Sequence, residues 1–328
     1  PLRVERLSFG CNYNHDVDNV VLPSTVKRVS FGSRFNKNLD GISWPSTLMH
    51  LAFGRRFDQP LAGVTWPSTL KHLDFGSDFN QPVIGVRWPD ELQEIAFGCS
   101  FDQAVVGVVW PKELSSLDLG WAFNQPVEGV AWPERLQELV FSNRFDWPID
   151  STAFPSTVEL LQFGSAFNQD LHNVPLPESL ESLRFLGGFN QSLEGVRLPC
   201  GMLILDLGRS WNRSLVGVAL PESLLCLDLG DEFNQPLDGV VWPSSIKSIN
   251  IGDAFDQLLD GVVWPTSLSH LSLGHSFDQP LCRVSWPSCL KSIHIGDSFS
   301  QVVDTVVWPA ALQSVVLGNQ MGTEDVLW

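Results

Sequence analysis

No run of apolar residues in this 328-residue chain extends beyond a few positions, far short of the roughly 20 that cross a bilayer as a helix. A basic start leading into an apolar stretch and a small-residue cleavage site is missing too. The chain opens on Pro1 rather than Met, so a trimmed product or part of something longer is expected. Positive charge is scarce: 20 Lys and Arg stand against 37 Asp and Glu, for a net charge of −17. What there is gathers at the start. Residues 1–72 hold nine basic and five acidic residues, and residues 73–328 hold eleven and thirty-two. A phosphate-binding surface along most of the length is excluded by that balance. No CxxC pair occurs among the six cysteines, Cys11, Cys99, Cys200, Cys226, Cys282 and Cys289, and they share no common spacing. Free thiols in a reducing compartment, cytoplasmic or organellar, are therefore expected. The G-x-S-x-G, H-E-x-x-H and P-loop patterns are absent, so no nucleophile, zinc or phosphate signature announces an enzyme.

What is present is a repeat. The phrase L-x-x-L-x-F-G-x-x-F-N-Q-P-L-x-G-V-x-W-P-x-S recurs every 22 residues without insertion or deletion, marked by Gly10, Gly32, Gly54, Gly76, Gly98 and Gly120. The register passes through Ser142, Gly164 and Leu186 and continues at Gly208, Gly230, Gly252, Gly274, Gly296 and Gly318. A fixed period of this length signals stacked supersecondary units that share one elongated core. Within each unit the L-x-L/F stretch alternates apolar and variable residues, the pattern of a half-buried strand. The return stretch N-Q-P-L-x-G-V-x-W-P carries Gly and Pro in nearly every copy, which excludes helix. It reads as extended or polyproline-like chain with short β bridges. The position before the recurrent proline is usually Trp, but Leu22, Leu176, Leu198, Leu220 and Phe154 also occupy it. A column that accepts Leu wants bulk rather than a π face, so it is assigned to the core rather than to sugar stacking.

Asn or Asp follows the aromatic at Asn36, Asp58, Asn80, Asp102 and onward. A short polar side chain there is expected to satisfy turn backbone and pair with the next coil. The free exchange of Asn and Asp, and the lack of a D-x-D-x-D-G cluster, argue against calcium.

The run F-N-Q-P plus an apolar residue, at Phe79–Val83, Phe123–Val127 and Phe233–Leu237, resembles the FNIP repeat, a 22-residue variant of the leucine-rich repeats. The resemblance covers nearly the whole chain. It implies a mainly β, right-handed solenoid of about fifteen coils, with one parallel strand per coil and little or no helix. The implied role is protein–protein interaction. The sequence departs from the family in reading G-V-x-W-P, which thickens the back of each coil. The loss of glycine at Ser142 and Leu186, with F-D-W-P-I at Phe145–Ile149, predicts a bend or shift within residues 142–190. Residues 1–318 are expected to form a single solenoid. Residues 319–328 break the motif and are expected to cap its end, with Trp328 covering the last coil.

The informative surface is then the outward positions of the strands. The residues singled out as a candidate interaction surface are His50, His72, Asp74, Glu94, Asp118, Glu138, Val140, Leu160, Arg184, Ile204, Asp206, Cys226, Asp228, His270 and His294. Val140, Leu160, Ile204 and Cys226 are apolar where exposure is expected, which suits either an interface or packing between coils. His50 and His72, and His270 and His294, sit one coil apart, close enough for a metal clip but without an evident third ligand. The expected function is a non-enzymatic scaffold that presents its sheet to a protein partner, without cofactor, nucleic acid or membrane insertion. The alternatives are a structural subunit docked through its end coils in a large assembly, and a β-solenoid enzyme on polysaccharide. The unbroken register argues against the enzyme, because catalysis needs unlike residues gathered once.

Overall fold

A computed structural model describes residues 4–18 and 20–318. Each 22-residue period forms one coil of a parallel β-solenoid, and no helix occurs among the described residues. The chain divides into two compact units, Pro1–Gln169 and Asp170–Trp328. The expected cap, residues 319–328 with Trp328, lies outside the described residues.

The first unit carries eight strands: β1 (Arg6–Ser8), β2 (Arg28–Ser30), β3 (His50–Ala52), β4 (His72–Asp74), β5 (Glu94–Ala96), β6 (Ser116–Asp118), β7 (Glu138–Val140) and β8 (Leu160–Phe163). The second carries seven: β9 (Ser182–Phe185), β10 (Ile204–Asp206), β11 (Cys226–Asp228), β12 (Ser248–Asn250), β13 (His270–Leu273), β14 (Ser292–Ile295) and β15 (Ser314–Leu317). Within each unit consecutive strands pair in parallel with a shift of 22 residues, as in Arg28↔His50 and Ile204↔Cys226. The strands are only three or four residues long. Their stability comes from stacking, since a coil alone cannot bury its apolar face.

The core is built from columns. Leu51, Leu73, Ile95 and Leu117 point inward from successive strands and are almost wholly buried. In the coils that carry phenylalanine at the strand exit, it stacks on the one four residues on, as in Phe97 on Phe101 at 4.1 Å and 11° between planes. The second of these also stacks on its neighbours at 22-residue steps, with Phe57–Phe79 at 6.1 Å and Phe79–Phe101 at 6.2 Å. The indole column is core, as its tolerance for Leu predicts: Trp66, Trp110, Trp132 and Trp264 are buried, and Trp66 and Trp88 stack at 6.4 Å. Among these indoles, the ring N–H groups of eight, from Trp44 to Trp286, are buried without a hydrogen-bond partner.

The back of each coil is extended and turned. Among the described residues it carries one isolated bridge, Val21↔Ser43. The L-x-G-V stretch closes a turn in which the Val64 N–H donates to the Leu61 carbonyl at 3.2 Å. Gly63 takes φ +90° at its third position, which only glycine adopts without strain. The following P-x-T-L stretch closes another, with the Leu70 N–H on the Pro67 carbonyl at 3.1 Å. Its threonine also reaches back one coil: the Thr69 hydroxyl donates to the Leu48 carbonyl at 2.7 Å.

Polar glue between coils comes from the Asn/Asp column, as expected. The Asn36 side-chain oxygen accepts the Asp58 N–H at 3.0 Å, Asp58 accepts that of Asn80 at 2.9 Å, and Asn80 that of Asp102 at 2.9 Å. The glutamine of the next coil adds a second donor to the same oxygen, Gln81 to Asp58 at 2.9 Å. The second unit repeats the ladder from Asn190 to Ser300. Both Asn and Asp present an oxygen, and only an acceptor is needed, so the two exchange freely.

Candidate interaction surface on the strands

Alternation in the strands turns every first and third residue outward, so two columns of side chains face away from the core. In the first unit the leading column runs Arg6, Arg28, His50, His72, Glu94, Ser116, Glu138 and Leu160, each directly opposite the next. The second runs Ser8, Ser30, Ala52, Asp74, Ala96, Asp118, Val140 and Gln162. The two columns line a trough of about 600 Å³ that reaches from Arg6 to Val140.

The histidines of β3 and β4 stack face to face, with ring centroids 4.1 Å apart and planes within 5°. His72 Nδ1 lies 2.5 Å from the Glu94 carboxylate. Burial, and then the neighbouring His72 and Arg28, hold His50 below the ordinary histidine range, with Glu94 opposing and Arg6 adding to the effect. Among the described residues no group of three His, Cys, Asp or Glu side chains has the spacing to hold a metal ion.

Asp74 and Asp118 have a second task that sequence reasoning did not find. Each carboxylate accepts the N–H of the glycine two residues on, Gly76 and Gly120, both at 2.8 Å. Those glycines have φ +73° and +77°. The D-x-G spacing was the available signal, and it recurs in the second unit. There Asp206 and Asp228 accept from Gly208 and Gly230, each at 2.9 Å.

In the second unit Arg184 Nε donates to the buried Ser182 hydroxyl at 3.1 Å. Asp228 also accepts the Asn250 side-chain amide at 2.9 Å. Burial raises the Asp206 carboxyl, the Gly208 N–H opposes that, Asp228 adds to it and Arg184 offsets part. Burial also raises the Cys226 thiol against Arg184, which keeps it in the unreactive protonated form. His270 and His294 do not stand opposite each other: His270 pairs with Ser292, and His294 with Ser272. His270 Nδ1 instead lies 2.8 Å from the Ser269 hydroxyl.

Val140, Leu160, Ile204 and Cys226 are half-buried. The strongly exposed aliphatic residues lie instead on the return path, at Val109, Val241, Val263 and Val307, in the variable position of G-V-x-W-P. All six cysteines are free, five of them exposed. Among the described residues no helix is long and apolar enough to cross a membrane.

In-register short strands, an extended return path and a side-chain amide ladder define a leucine-rich-repeat-like parallel solenoid. The chain belongs to the FNIP Repeat family, whose model matches residues 35–78, 123–166, 145–188, 211–254, 233–276 and 255–298. It is similar to CroV588, described as a novel circular LRR protein, with a TM-score of 0.80 and 30% identity over 95% of this chain and 53% of that one. The chain thus spans about half the length of that protein. An internalin, inlF, from Listeria monocytogenes str. 4b F2365 has the same fold at 13% identity, with a TM-score of 0.51 over 90% of this chain and 82% of that one. Comparison with curated proteins finds no match.

Proposed function

We propose that the chain is a non-enzymatic scaffold that presents its strand face to a protein partner. The observation that carries this reading is a division of labour within the coil. The ladder Asn or Asp, the turn glycine and the turn threonine are committed to hydrogen bonds or backbone shape. The outward strand positions, in contrast, vary in charge and size from coil to coil. A surface varied on a fixed frame is how repeat solenoids acquire partners. The exposed free thiols support a reducing compartment.

The test places a photocross-linking amino acid at Ser116 or Glu138 on the strands and, as control, at Val109 or Val263 on the return path. The expected result is one stoichiometric protein cross-linked from the strand positions alone. Equal labelling from both faces, or from the return path only, would sink the reading.

A further inference from the structure

We propose that the strand face of the first unit binds an extended peptide of split charge, with an acidic side chain over Arg6 and Arg28 and a basic one over Asp74 and Glu94. The proposal rests on the scaffold reading and names the chemistry of its partner.

The first support is an unfavourable arrangement that the fold itself does not relieve. Arg6 stands directly opposite Arg28. Like charges directly opposite on neighbouring strands repel. Both arginines are exposed, and among the described residues neither forms an ion pair, although Lys27 beside them pairs with Glu5 at 3.3 Å. In a chain with 37 acidic residues, no carboxylate among the described residues lies within ion-pair distance of this pair. Beside them in the second column Ser8 and Ser30, joined by a hydroxyl hydrogen bond of 2.8 Å, keep that side of the trough low and polar. An incoming carboxylate would find two guanidinium groups not engaged by any described carboxylate.

The second support is the reversal of sign farther along the same trough. Asp74 and Glu94 are exposed, and although one Glu94 oxygen meets His72 Nδ1, the carboxylate still faces the trough. Asp74 commits one oxygen to Gly76 and leaves the other to solvent. Between the two charged ends lies β3 alone, which presents His50 in the first column and the small Ala52 in the second, and Ala52 leaves room for a peptide backbone. Strands spaced by about 4.8 Å put the centres of the cationic and anionic ends roughly 14 Å apart, which about four residues of extended peptide cover. The acidic half also selects the class of occupant. It repels a polyanion such as nucleic acid, and a small free anion would leave it unused.

The experiment measures fluorescence anisotropy of labelled synthetic peptides against the whole chain. One probe has two aspartates, a four-residue Gly/Ser spacer and two lysines, and its mate has the reverse order. The control has the same composition with alternating charges, and a further probe carries lysines only. One split-charge peptide is expected to bind at least tenfold more tightly than the alternating one. With Arg6→Glu and Arg28→Glu together, that preference is expected to vanish and the lysine-only peptide to become the tightest. Unfolding could not produce such a gain. Equal binding of split and alternating peptides, or an unchanged order in the double variant, would overturn the proposal. If strand-face cross-links to a protein persist in that case, this inference fails while the scaffold reading stands. If they are lost as well, both fail.

Discussion

At Asp118, partial burial raises the carboxyl above its ordinary range, the Gly120 N–H pulls it down, and Asp74, two coils away in the same column, pushes it up again. The net rise means the folded chain holds this proton more tightly than the unfolded chain does. The resulting cost to stability is absent below the unfolded pKa. It grows as pH rises through that value and is complete above the folded one. Asp118→Asn keeps an oxygen for Gly120 and removes the charge, so it is expected to melt no lower than the parent at pH 7, with any advantage shrinking in acid. Asp118→Ala loses the acceptor and is expected to cost about 1 kcal/mol. Thermal melts of both variants at neutral and acid pH would check the pair. The D-x-G pattern was readable in the sequence, but an outward aspartate reads as surface until the positive φ of its glycine is known. Trp147 is a similar case. In F-D-W-P it takes the glutamine position, and its indole N–H donates to the Asn124 carbonyl at 2.9 Å, much as Gln125 does to Asp102 at 3.3 Å. Spelling departed from the repeat while the hydrogen bond was kept.

The element that fixes the period is the strand exit. A Cβ on Gly98 would lie 1.4 Å from the Gly76 carbonyl oxygen, with only backbone in the way. Gly85 has open space around it and is constrained by φ +82° alone. Gly98→Ala is therefore expected to cost about 3 kcal/mol, against roughly 1 kcal/mol for Gly85→Ala. Urea titration with hydrogen exchange across β4 and β5 would separate them, and equal costs would mean the coils can spread. The glycine column made the coil count and strand positions legible, because steric demand repeats with the period. Its exceptions were legible only as exceptions. Ser142 fills its place by turning its hydroxyl onto the Phe123 carbonyl at 2.6 Å. Near Leu186, the close approach to Gly208 comes from Phe185 and Gly187 backbone. The charge sequence of the trough was written in the outward columns from the start. Which carboxylates were already occupied was not, since that depends on side-chain geometry one and two residues away.

For the molecule as a whole, coils touch only their neighbours, so stability is close to a sum of intrinsic and nearest-neighbour contributions. Removing residues 33–54, one full period that joins Gly32 to Arg55, should leave every remaining contact type intact. The shortened chain is expected to keep the parent's β-sheet circular dichroism per residue and to melt within about 5 °C of it, a change of roughly 3 kcal/mol. Aggregation or loss of the sheet signal would show that β3 has a role its neighbours cannot assume.

An unbroken period also makes distance along the strands discrete. Between two side chains of one column within a unit, separation changes only in whole coils, by about 4.8 Å each. A loss or gain of 22 residues between Arg28 and Asp74 would move two opposite charges together or apart like marks on a vernier, one to two peptide residues at a time. Partner choice in such a chain is then a question of counting coils as much as of changing side chains.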